Sequence, residues 1–104
     1  MALTKIKYGV LGTEFTTAAA VVAADIDFSA AAVFNKTLTA DTTFTFSNDG
    51  IGMVKDLVLT GSFVPTFPTG TKIINGTYDG TVANFIQISV AASGDYWLSI
   101  SKAQ

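Results

Sequence analysis

The stretch TTFTFSNDG, residues 42–50, decides the class of fold. Within it Thr43, Phe44, Thr45 and Phe46 alternate strictly between a hydroxyl and a ring. That period of two is the one by which a strand places every second side chain on the same face. Ser47, Asn48, Asp49 and Gly50 close the stretch, and the Asp-Gly pair supplies positive φ at low cost, which predicts a hairpin turn.

The same period extends outward in both directions. Upstream, Ile26 and Phe28 alternate with Asp25, Asp27 and Ser29, and Phe34, Lys36 and Leu38 share one face of the next strand while Asn35 and Thr37 take the other. Downstream, MVKDLVLT (residues 53–60) sets Lys55, Leu57 and Leu59 against Val54, Asp56 and Val58. Residues 63–67 contain Pro65, which lacks the ladder donor, so this strand belongs at an edge or a bulge. Pro68-Thr69-Gly70, Asn75-Gly76 and Asp79-Gly80 read as turns around a short strand at Lys72, Ile73 and Ile74. NFIQISVA (84–91) and YWLSIS (96–101) close the chain on either side of Ser93-Gly94-Asp95. Seven or eight short strands, with a turn every ten residues or so, predict an all-β antiparallel β-sandwich or jelly-roll-like domain over residues 25–104, with a small barrel sharing the same signature.

Residues 1–24 break the pattern and read as an N-terminal arm, with 25–104 as the β-sandwich domain. Ala18, Ala19, Ala20, Val21 and Val22 are small enough to pack closely against a neighbouring subunit, which makes them candidate interface residues. Tyr96 and Trp97 are the others. Adjacent strand residues point to opposite faces, so one ring is expected in the core and its neighbour on the outside, where it suits a protein interface or a sugar-binding surface. The preferred reading buries both, one under the sheet and one under a neighbour.

Composition narrows the function. The chain has 104 residues, 49% of them hydrophobic and only 13% charged, and its mean hydropathy is +0.46. So few charges do not coat a solitary small domain, which points to self-association or to a larger assembly, a homotrimer in the first instance. Six scattered lysines, no arginine and a net charge of −2 argue against nucleic acid as partner. The longest apolar run, residues 18–24, is far shorter than the ~20 residues that span a bilayer, so no membrane partner is expected. The N-terminus lacks the apolar core of a signal peptide, so synthesis and folding in a cytoplasm are expected.

Histidine and cysteine are both absent. Serine-histidine and cysteine-histidine catalysis and the usual zinc sites are thereby excluded, and no cofactor or metal is expected. Asp25 and Asp27 are the one close carboxylate pair. Two apart on a strand, they share a solvent face, and a glycosidase or calcium role is the lesser reading. No catalytic residue is assigned.

The order of these motifs resembles a small β-domain of tailed-bacteriophage virion proteins, found in tail fibres, head fibres and decoration proteins. The resemblance rests on DIDFS (25–29), TLTADTTFTFSN (37–48), LVLTG (57–61), PTG (68–70) and the Tyr96-Trp97 pair, about three quarters of the chain. Where the family often has tryptophans around the Pro-x-Gly turn, this chain has Phe67, Ile73 and Ile74. The resemblance implies a virion structural protein, trimeric as in fibres, without catalytic residues. A capsid decoration (cement) or head-fibre protein that binds the major capsid protein is the preferred form, made in the host cytoplasm and located in the virion. A tail-fibre or tail-tip adhesin that binds host glycans through Tyr96 or Trp97 is the alternative.

Overall fold

The computed structural model describes residues 19–21 and 24–104. Among them the protein is all-β, with 54% of residues in strands and no helix. Ten strands follow in chain order: β1 (Ala19–Ala20), β2 (Asp25–Asp27), β3 (Val33–Thr37), β4 (Thr42–Thr43), β5 (Thr45–Ser47), β6 (Val54–Thr60), β7 (Pro65–Thr66), β8 (Thr71–Asn75), β9 (Asn84–Ala92) and β10 (Asp95–Lys102).

The expected antiparallel sandwich or jelly roll is not how these strands pair. Five of the seven strand pairs among the described residues are parallel, and four of them join segments one coil apart instead of chain neighbours. β1, β3 and β6 stack on one face, β4 and β7 on a second, β2 and β5 on a third. This is the ladder pattern of a short β-solenoid, each coil hydrogen-bonded to the one before it. Phe34 sits over Leu57 and Thr42 over Pro65, so the second and third coils keep the same offset on two faces. The first coil is shorter: β2 follows β1, and the described residues between them form no strand on the second face.

Corners are where the expected turns went. Asn48 (φ 54°) and Gly52 (φ 88°), not Gly50, take the left-handed positions. No hairpin forms there, since β5 is already paired with β2 and β6 with β3, and residues 48–53 carry the chain from one face to the next. Gly61 ends β6 at φ 111°, and a Cβ there would stand 2.6 Å from the Leu38 carbonyl oxygen of the coil below. Only glycine tolerates both the dihedral and that approach.

Proline ends the winding. Pro68 takes the place one coil above Thr45, whose N–H donates to the Ala24 carbonyl across the third face. Without a donor Pro68 cannot repeat that bond, and the chain leaves the coil for β8. The first face then continues as an antiparallel hairpin, β9 against β6 and β10 against β9, with β8 parallel to β10 at the end of a six-stranded sheet.

The core lies inside the coils and continues under the hairpin. Phe34, Leu57, Ile86 and Ile100 form one buried row across four strands. Aromatic contacts tie coil to coil: Phe44 stacks on Phe67 at 5.5 Å, Phe28 lies tilted against Phe46 at 5.3 Å, and Phe46 meets the edge of Tyr96 at 4.8 Å. Each such side chain removed from water contributes about 1.5–3 kcal/mol. Lys55 faces inward beside Leu57 and Leu59, as the alternation requires, and is buried.

Candidate functional site

Of the predicted interface residues, Ala18 and Val22 lie outside the described residues. Ala19 and Ala20 pair with Phe34 and Asn35, and Val21 is buried while its N–H donates to the Asn35 carbonyl at 2.8 Å. The described part of the leader is thus built into the first coil, with Val21 committed to the core. Its short side chain belongs there because β1 lies directly against β3.

Tyr96 and Trp97 part company, as adjacent residues of a strand do. β10 alternates cleanly, so Tyr96 points inward and Trp97 outward. Tyr96 is buried, and its hydroxyl donates to an Asp49 carboxylate oxygen at 2.9 Å. Burial pushes the phenol above its ordinary range, helped by that carboxylate. Trp97 is 38% exposed, in register with Ser89 and Lys72. The Lys72 ammonium sits 5.2 Å from the indole centre and is paired with Asp95, so part of the ring is covered by a cation and the rest is open.

Asp25 and Asp27 share a face, and their oxygens are taken by hydroxyls and amides. Thr45 and Ser47 donate to Asp25 at 2.8 and 2.6 Å. Ser29 donates to Asp27 through its hydroxyl at 2.6 Å and its N–H at 2.9 Å, and Asn48 adds its amide at 2.9 Å. The Ser29 hydroxyl first, then Asn48 and the Ser29 N–H, hold the Asp27 carboxyl below its ordinary value. A general acid needs the opposite shift. The pair ties the β2 and β5 segments together across neighbouring coils, and no cluster of three metal-binding side chains exists among the described residues.

The feature that sequence reasoning missed is a groove of about 490 Å³ between the third coil and β8. Phe63, Val64, Phe67, Ile73, Tyr78 and Ile100 line it. Tyr78 is anchored by its hydroxyl, which donates to the Gly61 carbonyl at 2.6 Å, and burial raises its pKa. Below it the fully buried Asn84 side chain donates to the carbonyls of Asp79, Val82 and Leu59 and accepts the Asp79 N–H. At the rim an Asp41 carboxylate oxygen accepts the Val64 N–H at 2.9 Å. The sequence signals were present in the apolar residues around Pro65 and Pro68, but their distance from Ile73 and Ile100 along the chain hid the groove. A cleft lined by Phe63, Val64, Phe67, Ile73 and Ile100 is suited to receiving apolar surface. Comparison with known proteins adds no relative: no family model, no curated protein and no solved structure matches the chain.

Proposed function

We propose that this chain is a structural, non-enzymatic subunit of a larger assembly, a bacteriophage virion protein of the capsid-decoration or head-fibre kind that binds the capsid and associates with itself. The observation that carries the reading is the exposed apolar surface: Ile51, Val54, Phe63, Val64, Ile73, Ile74, Phe85 and Trp97 all face solvent on a small domain whose core is already complete. So many exposed apolar side chains beside so few charges suit a chain that buries surface against partners. Parallel ladders and interlocked aromatics make the surface stiff, which suits a part that stabilises an assembly by binding only its assembled state. The test is co-sedimentation of the purified chain with capsids, together with mass spectrometry of purified particles. Saturable binding and a constant copy number per particle are expected, and absence from particles overturns the reading.

Trp97 favours a second reading, a tail-fibre or tail-tip adhesin. An outward indole beside Ser89 is a platform on which a sugar ring stacks. Glycan binding lost in Trp97→Ala, with capsid binding unchanged, selects this alternative.

A further inference from the structure

Among the strand edges at the end of the coils, the sequence treats those of β7 and β8 differently. β7 bonds to β4 through the Val64 and Thr66 carbonyls, which accept from Thr42 and Phe44 at 3.0 and 2.7 Å. The alternation of a parallel ladder turns the Pro65 backbone outward, so the missing N–H falls on the free side. That edge is closed to another strand by proline, a device natural sheets use against unwanted pairing.

β8 carries no such block. It is the last strand of the six-stranded sheet, paired among the described residues with β10 alone, and contains no proline. Its one charged residue, Lys72, is turned back onto the protein's own Asp95 and Trp97, so the gatekeeper is occupied. A bulge at the Leu98/Ser99 step leaves Ile74 outside the alternation, and Ile73 and Ile74 are 53% and 58% exposed. Phe63 and Val64 across the groove are 43% and 60% exposed. Together these four side chains offer on the order of 400 Å², within the ~300–600 Å² range of patches that carry function.

We infer that β8 is a docking edge for a second copy of this chain: two β8 strands pair antiparallel across a two-fold axis, and Ile73, Ile74, Phe63 and Val64 of each copy cover the groove of the other. This rests on the reading of the chain as a self-associating structural protein. A two-fold contact is self-complementary, so one patch serves both partners. Strand addition supplies backbone hydrogen bonds, and the groove supplies burial for alternate side chains. The two patches and the strand backbones bury about 1,000 Å² in total, the lower bound for a specific interface, so the dimer is reversible.

Light scattering of the full chain across low-micromolar to near-millimolar concentration tests the inference, beside Ile73→Lys with its fold verified by circular dichroism. The expected result is a monomer–dimer equilibrium in the wild type and a dissociation constant weakened at least about tenfold in the variant. A monomer at every concentration, a trimer, or a dimer insensitive to Ile73→Lys overturns it. Any of these leaves the assembly reading to its own test, capsid binding, so the two fail separately. If Ile73→Lys does not fold, amide exchange of the wild type decides. Protection of the Ile73 N–H that grows with protein concentration supports the pairing, and concentration-independent exchange overturns it.

Discussion

The coils and the terminal hairpin solve the same burial problem in different ways. The hairpin, β9 and β10, uses two strands of nine and eight residues, close in sequence and turned at Gly94 (φ 72°), with an alternation that any reader of the chain finds. The coils use strands of two to seven residues whose partners stand a whole coil away in the chain. Local alternation fixes which side chains are buried in both regions. It does not fix the partner, because parallel pairing is a non-local choice made by stacked side chains and by the corners between faces.

The comparison breaks most sharply at the aromatic ladder. Phe44→Ala removes a fully buried ring that stacks on Phe67 one coil above, and the expected loss is about 4 kcal/mol in urea unfolding, with hydrogen exchange rising first in the coils. An equal rise in β9 and β10 would mean that the two regions unfold as one unit.

Asn84 sits where the regions meet, since its amide donates to Leu59 in the third coil and to Asp79 and Val82 before the hairpin. Asn84→Ala orphans several of these buried groups and is expected to cost about 3 kcal/mol, with loosening of the 79–82 loop visible in the neighbouring Tyr78 environment. Retained protection of the Tyr78 region would show that the loop holds without the amide.

Gly61→Ala addresses the corners alone. The added methyl meets the Leu38 backbone at a dihedral that alanine resists, and about 2 kcal/mol of destabilisation is expected by thermal melting. An unchanged melting temperature would show that the corner relaxes.

Smallest is the effect of Asp27, whose carboxylate lies at the surface. Its folded-state carboxyl is held below the ordinary 3.8, so the stabilisation it gives is present above that value and is lost as pH falls through the folded-state value. Asp27→Asn should lower stability slightly at neutral pH and flatten the acid limb below about pH 4, so that the two proteins converge in acid, as read by urea melts across pH. A parallel acid limb in both proteins would remove Asp27 from the account.

Much of this protein was legible in its sequence. The strict alternation at residues 43–46 and the patterns at 53–60, 84–91 and 96–101 predicted strands, and in the last three the faces came out as the period of two demands: Lys55, Leu57 and Leu59 in, Val54, Asp56 and Val58 out or partly out, and Tyr96 opposed to Trp97. Pro65 was placed at an edge or a bulge for want of a donor, and an edge is where it lies. The absence of histidine and cysteine limited the chemistry before any coordinate was known. What the tertiary structure alone decided is the partner of each strand. A period of two is common to parallel and antiparallel ladders, so Asp49-Gly50 read as a hairpin and became a corner, and the sandwich became stacked coils. The constant offset between coils, the groove between Phe63 and Ile73, and the contrast between a proline-blocked β7 and an open β8 arise from contacts between segments far apart in the chain, whose energies no local pattern encodes.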